Sequence, residues 1–218
     1  RCLEGVPLRD ILSNRLGVDA VLENDATAAA IGENWLGASR DVDTSICVTL
    51  GTGVGGGLMI NGKPYRGKDG TAGEVGHICV EPDGHPCGCG SRGCVEQYAS
   101  ATAVIRMARE AGLDVSTSSD VYNWAKRGNE EAVDVFTAMG TYLGIGLAGL
   151  VNVLNPEMIV IGGGVSAAWE LFAGDVRREV DERSFPEPAK RVKIVGAELG
   201  DDAGILGAAR AVFALISK

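Results

Sequence analysis

The sequence has little positive charge, no long apolar run and no internal repeat. Lysine and arginine number 20 against 29 aspartates and glutamates, so the formal net charge is −9 at pH 7. This balance argues against nucleic acid binding by this chain, although it leaves open a separate basic domain. The most apolar run, residues 143–154, is too short and too often interrupted by glycine to cross a membrane. We therefore expect neither nucleic acid nor a membrane among its partners.

The chain also lacks a recognisable signal peptide, and its cysteines do not follow the spacing of a secreted disulfide framework. Both features favour a cytoplasmic protein. With 218 residues, 45% of them hydrophobic, it can bury a substantial core. Its first residues contain no initiator methionine and lead directly into a predicted helix. We expect the chain to continue a domain that begins earlier.

Glycine is abundant, with 32 residues, and two glycine-rich turns follow predicted strands. The first, Gly51–Gly57, exposes several backbone N–H groups that can bind phosphate oxygens. It matches the dinucleotide fingerprint Gly-x-Gly-x-x-Gly, but that motif requires a helix next, whereas Leu58–Ile60 and the Asn61-Gly62 turn predict a hairpin. The pattern favours a phosphate-binding hairpin, with a merely flexible hairpin as the alternative.

The second turn, Gly162–Gly164, follows a buried strand and precedes a predicted helix, so an NAD-binding oxidoreductase is a rival interpretation. That fold requires an acidic residue at the end of a second strand, about twenty residues further on. The acidic residues at 179–182 lie within a helical pattern instead. The turn therefore better suits packing against the sugar or base of a nucleotide.

Hydrophobic periodicity and turn residues predict an α/β fold. The predicted helices span 7–16, 25–36, 95–111 in two pieces, 119–127, 130–154, 167–183 and 202–216, and the predicted strands span 18–23, 44–50, 58–60, 75–80, 158–161 and 192–195. Residues 185–188 are predicted to be a loop. Strands and helices alternate in the second half, so part of the sheet is expected to be parallel, and the hairpin makes it mixed.

One histidine and three cysteines form the most informative cluster. Cys87, Cys89 and Cys94 lie within eight residues of one another, and His77 precedes them by ten positions. These four side chains suffice for a closed tetrahedral zinc site. Glu74 and Glu96 bracket the cluster, which suggests that the metal also organises a polar binding site. The alternatives are a purely structural zinc knuckle, packed cysteines or disulfides, with Cys79 and His85 as spare ligands. Cys2, Cys47 and Cys79 are interpreted as ordinary small hydrophobic residues.

Asn24-Asp25 lies between a predicted strand and a predicted helix. Either residue is a common helix N-cap. The same position, at the carboxyl end of a strand, is also where open α/β sheets bind ligands and where a general base can be placed. The residues alone favour neither interpretation.

Taken together, four segments of the chain resemble the ROK family of repressors, open reading frames and sugar kinases, within the actin-like ATPase superfamily. The segments are Glu23–Ala30, Leu50–Gly57, Gly73–His77 and Cys87–Glu96. The resemblance implies an actin-like (ribonuclease H-like) fold, a mixed sheet flanked by helices with a zinc-binding loop. It further implies that residues 1–37 end an N-terminal lobe at the sugar cleft. Residues 38–218 would then form the C-terminal domain, with the zinc loop at 77–94.

The resemblance also implies a function, the ATP-dependent phosphorylation of a hexose at its 6-hydroxyl. Glucose is the hexose expected first, and Mg²⁺ is the expected counter-ion of the phosphates. Asp25 would be the catalytic base. The residues implied to bind the sugar are Asn24, Asp25, Glu74, His77 and Glu96. Those implied to bind ATP are Gly51, Thr52 and Gly53 at the phosphates and Gly163 and Gly164 at the adenosine. The ligands implied for a structural Zn²⁺ are His77, Cys87, Cys89 and Cys94.

Three further expectations come from the resemblance. The family's N-terminal Asp-x-Gly-Gly-Thr phosphate loop is not found in this sequence, so the isolated chain is expected to be inactive. A homodimer is expected, because family members commonly form one. The alternative function is a sugar-sensing transcriptional repressor whose DNA-binding domain lies outside this sequence.

Overall fold

The computed structural model describes residues 5–216 of the chain. The helices are α1 (Leu8–Leu16), α2 (Asp25–Leu36), α3 (Glu96–Ala99), α4 (Ala101–Glu110), α5 (Ser118–Lys126), α6 (Glu130–Leu154), α7 (Trp169–Arg183), α8 (Pro186–Arg191) and α9 (Ala203–Ile216). The strands are β1 (Ser45–Leu50), β2 (Val54–Ile60), β3 (Lys63–Pro64), β4 (Met158–Gly162) and β5 (Lys193–Gly196). Short 3-10 helices span Val75–His77, Gly164–Ala168 and Gly200–Asp202.

The five strands form one mixed sheet in the order β3-β2-β1-β4-β5. β1 pairs with β2 antiparallel, as expected for the glycine-rich hairpin, and with β4 parallel. β4 in turn pairs with β5 parallel. The prediction of a mixed sheet with a parallel part is confirmed. Because β1 and β4 are neighbours, the glycine turns that follow them lie side by side at one edge of the sheet.

Alternating side chains on the central strands divide the core into two layers. Val48 and Ile159 belong to the layer that contains α6 and α7. Cys47 and Val160 belong to the layer that contains α2 and α9. Helices therefore cover both faces of the sheet, as predicted. Burial raises the pKa of the Cys47 thiol to about 12, with Glu33 nearby adding to the effect.

Helix α6 has the length and hydropathy of a membrane span, but it lies in the core. Phe136, Met139, Leu143 and Leu147 are each at most 1% exposed. Its glycines allow α7 to approach closely, since a Cβ on Gly144 would come 2.6 Å from the Cβ of Glu179. A side chain at this position would separate the two helices.

Helix α2 is fixed firmly to the rest of the chain, which matters because its first residue is Asp25. A Cβ on Gly32 would come 2.2 Å from the carbonyl oxygen of Ala203, so α2 and α9 pack backbone to backbone. The carboxylate of the fully buried Glu33 accepts hydrogen bonds from the backbone N–H groups of Ala38 and Leu199, at 2.8 and 2.9 Å. A buried carboxylate satisfied in this way ties α2 to the loops around it.

The predicted strand over residues 18–23 is wrong, because these residues form neither helix nor strand. Within the described part of the chain, no strand lies beside them to supply backbone partners. Apolar residues with strand propensity need such partners to form a strand. The helix before them is as predicted, and it ends at Gly17, whose φ is 69°.

Two other predictions failed for similarly local reasons. The strand predicted over residues 75–80 is wrong, because these residues form a 3-10 helix followed by an isolated bridge between Cys79 and Cys94. The carbonyl oxygen of Gly93 accepts hydrogen bonds from the N–H groups of both residues 80 and 81, which is not the pattern of a strand pair. Residues 185–188 were expected to be a loop but contribute to α8, whose first position is Pro186. Proline at that position suits a helix start, because its missing N–H would be unbonded there anyway.

Candidate active site and metal centre

A cavity of about 490 Å³ opens where β1, β2 and β4 meet the start of α2. It gathers most of the residues that the sequence suggested for binding or catalysis. Those that line it are Asn24, Asp25, Gly51, Thr52, Gly53, Glu74, His77, Glu96 and Gly163. Thr49, at the end of β1, also lines the cavity and was not predicted.

The sequence left open whether Asn24-Asp25 serves as a helix N-cap or as part of a ligand site, and in the structure the two residues differ. Asn24 is the N-cap of α2, and its Oδ1 accepts a hydrogen bond from the N–H of Thr27 at 3.0 Å. Asp25 is the first residue of the helix, and its Oδ1 accepts from the N–H of Ala26 at 2.8 Å. The positive end of the helix dipole lies at this position. An anionic acceptor therefore faces the cavity on a well-packed helix.

The start of α4 forms hydrogen bonds with the glycine loop between β1 and β2. The N–H of Ala101 donates to the carbonyl of Gly51 at 2.8 Å, and the hydroxyl of Thr102 donates to the carbonyl of Thr52 at the same distance. A Cβ on Gly53 would come 2.4 Å from Oε2 of Glu96. These contacts leave the loop little freedom, and the glycines leave its backbone accessible to an anion.

The second glycine turn reaches the cavity with one of its two predicted residues. Gly163 has a φ of 85°, and a Cβ there would come 2.5 Å from the carbonyl oxygen of Leu50, so only glycine fits between the ends of β1 and β4. Gly164 is exposed and begins a 3-10 helix, and it is not among the cavity-lining residues.

Glu74 and His77 approach the cavity from the 3-10 helix. Nε2 of His77 lies 4.0 Å from Oε2 of Glu74, whose side chain is 58% exposed. Glu96 completes this side: its Oε2 accepts a hydrogen bond from the N–H of Val54 at 3.1 Å, and its Oε1 lies 3.9 Å from Sγ of Cys87. Glu96 therefore connects the glycine loop with the cysteine cluster.

The predicted metal ligands do come together. One ligand atom from each of His77, Cys87, Cys89 and Cys94 lies within 4.8 Å of the others. Sγ of Cys89 and Sγ of Cys94 are 3.7 Å apart, and Sγ of Cys87 is 3.6 Å from Nδ1 of His77. Zinc bond lengths in a regular tetrahedron require about 3.8 Å between two sulfurs and about 3.6 Å between sulfur and nitrogen. The donor set and its spacing therefore fit Zn²⁺.

The electrostatics of the cluster also favour a cation. Burial raises the pKa of the Cys94 thiol to about 12, and the thiols of Cys87 and Cys89 next to it add to the effect. The backbone N–H of Ser91, by contrast, lowers the pKa of the Cys89 thiol. Adjacent sulfurs cannot all ionise without a positive charge between them, which a metal supplies. All three cysteines are free of disulfides.

The two spare ligands stand outside the cluster. Cys79 is exposed, which contradicts its interpretation as a small buried hydrophobe, and it is not among the clustered residues. Nε2 of His85 lies 2.7 Å from Nη1 of Arg106. Cys2, which was interpreted in the same way as Cys79, lies outside the described residues.

Arg106 is an important residue that the sequence did not reveal. Besides contacting His85, it donates to the carbonyl of Gln97 at 2.6 Å and to both carboxylate oxygens of Glu110, at 3.0 and 3.1 Å. One guanidinium thus joins the two ends of the segment that carries the cysteines and Glu96. Its partners are far apart in sequence, so no local pattern could have indicated the role.

A second unpredicted contact lies on the opposite side. The guanidinium of Arg66 forms a two-pronged ion pair with the carboxylate of Glu23, the residue immediately before Asn24. Glu23 belongs to one of the motifs that resemble a known family, and its position beside Asn24 was the only available signal.

Comparison with known proteins agrees with this geometry. The model of the ROK family matches residues 1–214. The chain belongs to the ROK family. This ROK chain is 39% identical to a glucokinase of Thermotoga maritima over 218 residues, which cover 94% of this chain and 69% of the glucokinase. It is 34% identical to a xylose repressor of Caldicellulosiruptor bescii, covering 94% of this chain and 54% of the repressor.

Among solved structures, the ROK chain is similar to a ROK family glucokinase from Streptomyces griseus in complex with glucose and AMPPNP. The TM-score is 0.82 at 38% identity, and the match covers 94% of this chain and 72% of the other. The expected fold class, a ROK-type actin-like fold, is therefore confirmed.

Proposed function

We propose that this ROK chain belongs to an ATP-dependent hexose kinase that phosphorylates the 6-hydroxyl of glucose. The observation that carries the proposal is the position of Asp25. Its carboxylate, at the start of α2, shares one cavity with the glycine loop at Gly51–Gly53 and with the acceptors Glu74 and Glu96. A base, a phosphate-binding loop and a set of hydroxyl-binding groups are the parts that a sugar kinase needs. The similarity to two glucokinases supports the same assignment.

In the proposed reaction, Asp25 accepts the proton of the 6-hydroxyl as that oxygen attacks the terminal phosphorus of ATP. The new bond joins oxygen to phosphorus, the bond to the bridging oxygen breaks, and ADP leaves. Asp25 lies at the N-terminus of α2, where its Oδ1 accepts a hydrogen bond from the N–H of Ala26. Positioning supplies much of the catalysis in phosphoryl transfer, so the firm packing of α2 is part of the mechanism.

The sugar lies between Asn24 and Asp25 on one side and Glu74, His77 and Glu96 on the other. Each carboxylate can accept hydrogen bonds from two hydroxyls, which suits a polyol. Nε2 of His77 is available for the sugar, because its Nδ1 is the nitrogen nearest the cysteine sulfurs. Glucose is the expected substrate, but other hexoses share most of the hydroxyls that these residues would contact.

The nucleotide lies along the two glycine turns. Backbone N–H groups of Gly51, Thr52 and Gly53 bind the phosphates, whose charge is also balanced by Mg²⁺. Gly163 and Gly164 lie along the adenosine, Gly163 at the cavity and Gly164 beyond it. Glycine is required at position 163, because any side chain there would collide with Leu50.

Zn²⁺ bound by His77, Cys87, Cys89 and Cys94 has a structural role, since the four protein ligands leave no coordination position open. It fixes the tautomer and direction of His77 and the shape of the loop that ends in Glu96. The contacts of these two side chains with the sugar then depend on residues that do not touch it.

The test is an assay of ADP release by the complete protein, with ATP, Mg²⁺ and five hexoses: glucose, mannose, fructose, N-acetylglucosamine and N-acetylmannosamine. We expect sugar-dependent turnover, fastest with glucose. The variant Asp25→Asn should bind glucose normally and lose about 10²–10⁴-fold in kcat, because only the base is removed. Full turnover by this variant would exclude Asp25 as the base.

The match to xylose repressors supports a second candidate, a sugar-sensing repressor that uses the same cavity without catalysis. Hexose binding without turnover in the assay, together with binding to operator DNA, would favour it. An Asp-x-Gly-Gly-Thr loop upstream in the complete protein would favour the kinase, and an upstream basic helix-turn-helix would favour the repressor.

We further propose a cytoplasmic homodimer, with residues 1–37 completing an N-terminal lobe and the isolated chain inactive. The family resemblance supports these points. Sedimentation of the complete protein tests the dimer, and activity of the isolated residues 1–218 would contradict the last point.

A further inference from the structure

The segment that carries Asn24 to the cavity has little support from packing. Residues 18–24, the connecting segment, form neither helix nor strand, and Val18 and Leu22 are 61% and 64% exposed. Helix α1, which precedes the segment, contains no buried residue. Among the described residues, polar contacts rather than buried side chains hold the segment where it meets α2, whose cap is Asn24 and whose first residue is Asp25.

The ion pair between Glu23 and Arg66 supplies such a contact. Nε of Arg66 lies 3.0 Å from Oε2 and 3.4 Å from Oε1 of Glu23, and Nη2 also donates to Oε2. The Glu23 side chain is 10% exposed and that of Arg66 is 45% exposed, so water reaches the pair mainly from the arginine side. Oε1 of Glu23 also accepts from the N–H of Asn24 at 3.2 Å. One carboxylate therefore holds both Arg66 and the backbone of the cap residue.

The other end of the pair is anchored on the opposite wall of the cavity. Arg66 begins a loop that closes through a hydrogen bond of 3.2 Å from the N–H of Ala72 to the Arg66 carbonyl. The loop continues into Gly73, where a Cβ would come 2.7 Å from the carbonyl oxygen of Gly56 on β2. Glu74 follows directly. The ion pair thus spans from the residue before Asn24 to the loop that leads into Glu74.

We propose that Glu23 and Arg66 are a positioning pair that sets the width of the sugar site between Asp25 and Glu74. This inference rests on the proposed function. Neither side chain is among those that line the cavity, so neither touches the reacting groups. They act by holding Asn24 and the start of α2 against the wall that carries Glu74.

The experiment compares Arg66→Gln, Glu23→Gln, the double variant and Arg66→Lys in the complete protein. Arg66→Gln should lower kcat roughly tenfold or more, because a base displaced by about 1 Å is badly aligned. It should also raise the KM for glucose and leave the KM for ATP unchanged. The double variant should be no worse than either single variant, since the two residues act as one unit. Arg66→Lys should restore part of the activity.

Arg40→Gln is the matched control, because it removes an arginine from an exposed ion pair with Glu198. It should leave the kinetics unchanged. Unchanged kinetics in Arg66→Gln, additive losses in the double variant, or an equal loss in Arg40→Gln would each overturn the inference. If the wild-type protein binds glucose without phosphorylating it, the proposed function fails. Calorimetry then still tests the pair, because Arg66→Gln should weaken glucose binding and Arg40→Gln should not.

Discussion

The two walls of the cavity are held in different ways. The metal loop, residues 77–96, ends in side chains that are completely buried, with Cys94 and Val95 both 0% exposed. Arg106 contacts His85 within the loop and Gln97 just after it, and the loop carries the metal-ligand cluster. The connecting segment across the cavity has no regular structure and exposed apolar side chains, and its main contact is the ion pair of Glu23.

This difference suggests distinct roles for the metal loop and the connecting segment. The metal loop presents Glu96 and His77 in fixed directions before any ligand arrives, which lowers the cost of binding. Within residues 5–216, the connecting segment that leads to the proposed base has few packing contacts, and its Val18 and Leu22 are exposed. Under the proposed function, the sugar would be bound from the metal loop, and the connecting segment would place the base.

Removal of the metal should have the largest effect on this contrast. Cys89→Ser should abolish stoichiometric zinc and weaken glucose binding roughly tenfold or more, because His77 and Glu96 lose their fixed positions. Metal analysis and calorimetry on the complete protein measure both quantities. Cys79→Ser is the control, since Cys79 is exposed and outside the cluster. Unchanged zinc content and glucose affinity in Cys89→Ser would show that the metal does not organise this wall.

Two glycines with a similar positive φ give the next comparison. Gly93 in the metal loop and Gly17 before the connecting segment have φ values of 63° and 69°. A Cβ on Gly93 would come 1.5 Å from the carbonyl oxygen of Glu81, whereas a Cβ on Gly17 would have nothing within 4 Å. Gly93→Ala should therefore lower the free energy of unfolding by roughly 2–5 kcal/mol, and Gly17→Ala by about 1 kcal/mol at most.

Chemical denaturation of both variants measures these losses, with the zinc content of each recorded. Because both glycines have a similar positive φ, the difference between the variants mainly reports the crowding at Gly93. Equal losses would mean that the metal loop can shift to make room, and the contrast between a rigid and a weak wall would then be wrong.

Substitution of Arg106 should affect zinc retention by the metal loop, whereas substitution of Arg66, which contacts the connecting segment, should not. Arg106→Gln removes the bonds to His85 and to the Gln97 carbonyl, so zinc should pass to a competing chelator about tenfold faster. Arg66→Gln should leave that rate unchanged. Chelator competition monitored by absorbance gives both rates, and acceleration in Arg66→Gln would mean that the two walls are coupled.

Much of this fold could be predicted from sequence where the determining signals are local. The cap at Asn24, the break at Ser100 that divides the predicted helix 95–111, and the turn at Asn61-Gly62 all depend on residues adjacent in sequence. The cysteine cluster was also predictable, because its ligands fall close together. Residues 18–23 look like a strand by the same local criteria, but a strand needs a neighbour that only the folded chain could supply.

The supporting contacts of the site could not be predicted, for the same reason. Arg106 contacts His85, 21 residues away, and Arg66 contacts Glu23, 43 residues away. An arginine on a helix or in a loop has no distinctive spacing, so its partner becomes apparent only in three dimensions. Gly164 belongs to a recognisable turn, but only the folded chain shows that a 3-10 helix begins there and that Gly164 is not among the residues lining the cavity.

Two serines give the smallest expected difference. Ser100 is buried at 2% exposure and caps α4 through a 3.1 Å hydrogen bond from the N–H of Ala103, next to the helix that begins with Glu96. Ser13 accepts a hydrogen bond of 3.0 Å from the N–H of Ala20, which ties the connecting segment to α1. Each hydroxyl accepts one backbone hydrogen bond, so the two differ mainly in how firmly their surroundings are folded.

Ser100→Ala should lower the free energy of unfolding by about 1 kcal/mol, as is usual for the loss of a helix cap. Ser13→Ala should lower it by less than about 0.5 kcal/mol, because a segment that opens locally before the core unfolds contributes little to the global transition. Urea denaturation of the complete protein measures both values. A loss in Ser13→Ala as large as that in Ser100→Ala would mean that the connecting segment unfolds together with the core, and that the two walls of the cavity are equally firm.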